Sequence, residues 1–211
     1  ELDITDLSHD GRGVARHEGK AVFVRGALPG EHVRAVRTAR HRQYDEARVD
    51  AVLAASPDRV EPRCVHFGTC GGCALQHLAP AAQIAAKART LMENLERIGH
   101  VRPGRELAPL ASEAWGYRRR ARLSVKRVDK KGRVLVGFRE VDGRFVADIA
   151  RCEVLHPAVG GRIAELALLV ESLDARREIP QIEVAVGGEL AALVLRHLGP
   201  LTDADRERLV A

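Results

Sequence analysis

The chain has 211 residues, 45% of them hydrophobic, which allows one large domain or two small ones with real cores and excludes a disordered tail. Its net charge of +5 comes mostly from arginine, whose planar fork suits phosphate; no run reaches the roughly eighteen apolar residues of a membrane span, and no charged-then-apolar leader precedes the first strand. Four cysteines at ligand-like spacing fit a reducing compartment better than a disulfide scaffold, so the expectation is a monomeric cytoplasmic protein with no membrane association.

Residues 1 to 58 read as short strands broken by glycines. Leu2 and Ile4 alternate with polar neighbours, Asp10-Gly11-Arg12-Gly13 makes a turn, Ala21 to Val24 is an apolar run, and Ala47, Val49, Ala51 and Leu53 recur at period two. So many short strands in so few residues predict a small OB-like β-barrel. Its polar positions carry Arg12, Arg16, Lys20, Arg25, Arg34, Arg37, Arg40, Arg42 and Arg48, and between Lys20 and Arg42 the only acid is Glu31. Such a face predicts nucleic-acid contact, with Arg12, Arg16 and Arg25 as candidates; the plain alternative is a solvated surface.

Residues 59 to 211 form the second predicted domain, opening on a linker that leads into Cys64-Val-His-Phe-Gly-Thr-Cys70-Gly-Gly-Cys73, with Cys152 the one remaining thiol. Three clustered thiols and one distant one make the set that holds a tetrahedral inorganic centre. Structural zinc sites bring two short Cys pairs, whereas the gaps here are five, two and seventy-eight residues, which suits a [4Fe-4S] cluster wrapped by one loop and closed by a fourth thiolate from elsewhere. Zinc, four ordinary thiols, and a Cys70-x-x-Cys73 redox pair stay open as alternatives. Gly71 and Gly72 are expected to take positive φ and turn their amides toward sulfur.

Pro80 then opens a helix with Ile84, Ala88, Leu91, Leu95 and Ile98 on one stripe to be buried and Gly99 as its C-cap. Residues 117 to 149 read as an antiparallel meander with turns at Lys130-Lys131-Gly132 and Asp142-Gly143. Its first strand places Arg118, Arg120, Arg122 and Lys126 on one face and Ala121, Leu123 and Val125 on the other. Like charges so crowded repel unless an anion lies across them, which predicts contact with an RNA or DNA backbone. A helix from Ala158, a hairpin about Gly187-Gly188, and a final helix capped by Thr202 and running to Ala211 complete an α+β chain.

Several of these stretches together resemble known families. Ile4-x-x-Leu7-Ser8-His9-Asp10-Gly11-Arg12-Gly13-Val14-Ala15, Phe23-Val24, Ala27 to Glu31 and Ser56 to Val60 resemble a TRAM domain, an OB-like RNA-binding module. Cys64-x5-Cys70-Gly-Gly-Cys73-x-x-Gln76-His77 with Cys152, and Tyr117-Arg118-x-Arg120-Ala121, resemble the bacterial RNA uracil-5-methyltransferases that carry a [4Fe-4S] cluster. Radical methylthiotransferases, which also carry TRAM domains, use cysteine gaps of three and two and fit less well. The resemblance implies a central iron-sulfur domain with Cys64, Cys70, Cys73 and Cys152 as ligands. It implies RNA as partner, ribosomal foremost and transfer RNA second, and the Tyr117-to-Ala121 strand beside the target uridine. That family takes its methyl group from S-adenosylmethionine in a C-terminal Rossmann-like domain with a nucleophilic cysteine, and neither feature occurs before Ala211. The chain is therefore expected to be the N-terminal RNA-recognition part of such an enzyme, inactive alone. The alternative is a non-catalytic RNA-binding protein that responds to oxidant or iron.

Overall fold

The computed structural model describes residues 1–188 and 190–210. It falls into two compact units. The first comprises Glu1–Pro62 and Ala74–Ala111, the second Arg63–Cys73 and Ser112–Ala211, so in place of a single boundary after residue 58 the chain passes between units at 62/63, 73/74 and 111/112.

In the first unit β1 (Leu2–Asp3), β2 (Asp6–Leu7), β3 (Gly13–His17), β4 (Lys20–Arg25), β5 (His32–Arg40) and β6 (Tyr44–Ala54) form one sheet in the order β1-β5-β6-β4-β3-β2. The two ends of that order are halves of one bent segment, Leu2 to Leu7, pairing with β5 on one side and β3 on the other. The sheet is thereby closed on itself, as the OB-like reading predicted. Strand β4 pairs with β6 in parallel, and three register shifts bend β5 against β6. Strand β5 was not legible as a strand, because these bulges break its period.

Ile4, Ala15, Val22, Val24, Ala27, Val33 and Ala47 fill the interior, aliphatic throughout. Gly13 is required there, since a Cβ would lie 2.8 Å from Ile4 Cγ2 and 2.9 Å from Ala27 Cβ. Glu31, only 1% exposed, is held at the barrel's end by Arg59 Nη2 at 2.8 Å and by the Leu28 N–H at 2.8 Å. Although burial raises its pKa, those partners hold it below the usual carboxylate range. Helix α1 (Pro80–Arg97) starts at its proline and ends near Gly99, whose N–H reaches the Asn94 carbonyl. Its expected stripe is not buried: no residue of α1 is, and Leu91 and Ile98 are 58% and 75% exposed.

The second unit is an antiparallel four-stranded sheet ordered β10-β9-β7-β8, from β7 (Arg120–Val128), β8 (Arg133–Gly137), β9 (Gln181–Gly187) and β10 (Leu190–Arg196). The expected meander is only partly realised: β7 and β8 form its first hairpin, but residues 139 to 149 return through a single bridge, Arg139 to Val146, and β9 takes the other side of β7. Leu123, Val125, Val134, Val136, Ile182 and Val184 pack with Val159, Ile163, Leu166 and Val170 of α2 (Pro157–Gly160) and α3 (Ile163–Ser172) in one core. Helix α4 (Asp203–Val210) begins with a capping box. The Asp205 N–H donates to Thr202 Oγ1 at 3.0 Å, and the buried Asp205 carboxylate accepts from the N–H groups of Thr202, Asp174 and Ala175. The predicted run of this helix onto Ala211 lies outside the described residues, as does residue 189.

Candidate functional site

The four cysteines all belong to the second unit, and all stand as partly exposed thiols. The loop that carries three of them is fastened by its own backbone. The Cys70 N–H donates to the His66 carbonyl at 2.9 Å, Gly71 N–H to the Arg139 carbonyl at 2.8 Å, and Val141 N–H to the Thr69 carbonyl at 3.0 Å, so Cys70 lies bridged to Glu140. Gly71 and Gly72 do not take the positive φ expected of them. They are glycine because of close approach instead: a Cβ on Gly71 would meet the Arg139 carbonyl oxygen at 2.9 Å, and one on Gly72 the Phe138 ring at 2.9 Å. Of the two amides only that of Gly72 turns toward sulfur, its N–H 3.4 Å from Cys70 Sγ, while that of Gly71 goes to the Arg139 carbonyl.

Cys152 is held from the opposite direction. Its N–H donates to the Gly160 carbonyl at 2.8 Å, and no Cβ fits at Gly160, where it would lie 2.5 Å from the Cys152 carbonyl. Cys70 and Cys152 both pack against the core that also takes Phe138. Burial pushes the Cys70 thiol pKa up, the Gly72 amide pulls it down, and Cys152, Cys73 and Cys64 each raise it further. The three other thiols are thus near enough for their charge to be felt at Cys70. Among the described residues no three His, Cys, Asp or Glu side chains are grouped as one metal ion needs. Before the loop, Arg63 lies over the Trp115 ring at 5.3 Å and pairs with Glu153 at 3.3 Å.

The basic strand is less uniform than its sequence. Arg120, Arg122 and Lys126 lie exposed on β7. Arg118 does not belong to that strand: its backbone bridges to Leu155, its N–H donates to the Val154 carbonyl, and its guanidinium sits 5.4 Å over the Phe138 ring. The reason is local, since regular pairing of β7 with β9 begins at Arg120 opposite Ala185. Nor is the face purely cationic. Glu183 stands opposite Arg122 on β9, already bridged by Arg196 at 2.8 Å, and Arg196 first and Arg122 after it hold the Glu183 carboxyl below its ordinary pKa. Glu183 was readable as the polar position between Ile182 and Val184. Among the described residues Arg120 and Lys126 have no ion pair, which leaves them available to an anion.

On the barrel, four of the nine candidate cations are paired among the described residues. Arg34 meets Asp50 at 2.9 Å, Arg37 and Lys20 meet Asp45, and Arg12 meets Asp10 at 2.9 Å and Glu46 at 3.1 Å. The scarcity of acids between Lys20 and Arg42 held along the chain but not in space, because β6 brings Asp45, Glu46 and Asp50 alongside. Arg16 donates to the Gly19 carbonyl at 3.2 Å, while Arg25, exposed and opposite Arg48, has no ion pair among the described residues. Register puts Arg16, Phe23, Arg25, Tyr44, Glu46 and Arg48 on one outward side. The sequence reading missed the rings there: Phe23 and Tyr44 meet edge to face at 5.5 Å, and Arg12 lies 4.8 Å over Phe23. The available signal was aromatic scarcity, since no Phe, Trp or Tyr is buried in either core.

Residues 1–49 match the model of the TRAM domain. Across 98% of its length the chain is 59% identical to a protein of Stenotrophomonas maltophilia (strain K279a) named 23S rRNA (uracil(1939)-C(5))-methyltransferase RlmD, covering 47% of that protein. The protein of the same name from Xylella fastidiosa (strain 9a5c) is 59% identical over all of the chain and 48% of its own length. The chain is homologous to the RNA uracil-C5-methyltransferases. It spans about half the length of these relatives. In fold it is similar to the crystal structure of Pyrococcus abyssi tRNA (uracil-54, C5)-methyltransferase in complex with S-adenosyl-L-homocysteine, with a TM-score of 0.67 and 23% identity over 98% of this chain and 48% of that one. These relatives do not favour the alternative of a non-catalytic redox sensor.

Proposed function

We propose that this chain is the N-terminal, RNA-recognition part of an S-adenosylmethionine-dependent RNA (uracil-C5)-methyltransferase acting on ribosomal RNA in the cytoplasm. The observation that carries the reading is identity approaching three residues in five, along the whole chain, to proteins named for that activity. The barrel and β7 supply the grip: Arg25, Arg120 and Lys126 offer cations without ion pairs among the described residues, and Arg16 and Arg122 lie on the same faces as Arg25 and Arg120, with Arg12 and Arg118 as further candidates. Phosphate contacts of this kind fix register on an RNA without reading sequence. Methyl transfer itself belongs to the part of the protein beyond this chain, which contributes neither the nucleophile nor the cofactor loop.

In this reading Cys64, Cys70, Cys73 and Cys152 hold a [4Fe-4S] cluster. The donor set fits: Cys64, Cys73 and Cys152 each raise the Cys70 pKa, an amide points at Cys70 Sγ, and glycines keep the loop tight against its neighbours. With four protein thiolates the cluster has no open iron position, and its contribution is to fix the loop to the sheet.

The test is RNA binding and methyl transfer by the purified chain. It should bind RNA with an affinity that falls steeply with salt, and it should incorporate no methyl group from S-adenosylmethionine. Absence of RNA binding, or methyl transfer by this chain alone, would contradict the reading.

A further inference from the structure

The outward side of the barrel holds a small constellation that phosphate contact does not use. His41 and Tyr44 stack face to face with ring centroids 4.4 Å apart and planes 26° apart, and Phe23 and Tyr44 meet edge to face at 5.5 Å. The stack is fixed from below, since the His41 N–H donates to the Tyr44 carbonyl at 3.0 Å across the β5–β6 turn. His41 ends the stack and its side chain is 43% exposed, so the stack reaches solvent at that end. Rings so placed are costly to leave wet in a chain only 3% aromatic.

Beside that open ring stands one carboxylate. Glu46 Oε1 lies 3.9 Å from His41 Nε2 and accepts from Arg12 Nη1 at 3.1 Å, while Oε2 accepts no hydrogen bond among the described residues. A carboxylate is acceptor-only. It would repel a phosphate and the carbonyl oxygens of uracil, and it suits a base edge that presents adjacent N–H donors. Guanine offers two, N1–H and the N2 amino group, whereas uracil offers a single N3–H between two acceptors.

We propose that His41, Tyr44 and Phe23 form a stacking platform for one unpaired nucleobase of the RNA, and that Glu46 selects guanine there over uracil. The inference rests on the RNA-binding reading and deepens it: this subsite reads a base different in kind from the uridine to be modified, and so contributes sequence information that Arg16 and Arg25 cannot. Arg12 links the two halves, capping Phe23 with its guanidinium and orienting Glu46 through Nη1.

Binding of the 211-residue chain to single-stranded RNA of about eight nucleotides, either all uridine or with one central guanosine, tests this. The unsubstituted chain should prefer the guanosine-containing strand by roughly fivefold or more. Tyr44→Ala, and independently His41→Ala in the turn, should weaken that strand by about fivefold to a hundredfold, with melting curves verifying the fold. Glu46→Gln should erase the preference by removing the repulsion of uracil, so that all-uridine RNA binds at least as tightly as to the unsubstituted chain. If the chain binds both strands equally, or if His41→Ala and Tyr44→Ala bind as tightly as the unsubstituted chain, the platform is overturned while RNA binding stands. If the unsubstituted chain binds neither strand, platform and RNA reading fall together.

Discussion

The barrel and the sheet carry similar runs of arginine and use them differently. On the barrel, Arg12, Arg34, Arg37 and Lys20 each face an acid delivered by another strand or turn, so a stretch that is strongly basic along the chain is partly neutralised in space, with Arg16, Arg25, Arg40, Arg42 and Arg48 outside any ion pair among the described residues. On β7 Arg127 pairs with Glu171 at 3.2 Å and Arg122 stands opposite Glu183, while Arg120 and Lys126 stay unpaired among the described residues. Linear charge density is thus a poor guide to the field a ligand meets; strand pairing decides it. The units differ equally in what holds them. The barrel closes on aliphatic packing and the Glu31–Arg59 pair, whereas the second unit packs Cys70 of the cysteine loop and the distant Cys152 against one core.

The strongest way to break that contrast is to remove a thiol. Cys70→Ser should unfold or aggregate the second unit and abolish its colour, because binding free energy of an inorganic centre is folding free energy, while circular dichroism and proteolysis should still find the barrel folded. Equal loss of both units would erase the distinction.

The barrel unit has its own weak point in pH. His77 is 2% exposed, and burial first, with Arg59 adding, lowers its pKa from 6.5 to about 4. Its folded pKa lies below the unfolded one, so as pH falls the unfolded chain takes up a proton before the folded one does. Stability is complete above about pH 6.5 and declines until about pH 4, by on the order of 3 kcal/mol across the 2.5 units between them. Denaturant melts of the chain with His77→Leu should lose this slope; an unchanged slope would place the titrating group elsewhere.

On the sheet, Arg120→Ala should weaken RNA binding by about 1 to 3 kcal/mol and reduce the salt slope by roughly one, whereas Arg119→Ala should do little. Equal effects, with fold intact, would mean that charge acts only at long range. The smallest expected effect is Thr202→Ala, which removes the acceptor for the Asp205 N–H and should cost about 1 kcal/mol in thermal melts.

Much of this was legible because it is periodic. Ile163, Leu166 and Val170 on α3, Ile182, Val184 and Val186 on β9, and the Thr202 cap follow from spacing, and the structure places them so. What was not legible depends on partners far along the chain. Strand β5 hides behind bulges, Arg118 leaves the register of β7 because pairing with β9 starts two residues later, and α1 has an apolar stripe with no residue buried. The cysteine set could be named from four residues and two gaps, but Gly71 and Gly72 serve it through close approach to Arg139 and Phe138, which no local pattern reveals.

Iron and acid-labile sulfide counted in anaerobically purified chain test the contrast between the two units most directly. The account predicts a brown protein with about four irons and four sulfides per chain, lost together on replacing any one of Cys64, Cys70, Cys73 or Cys152. A colourless, folded protein holding one zinc, or no metal at all, would contradict it.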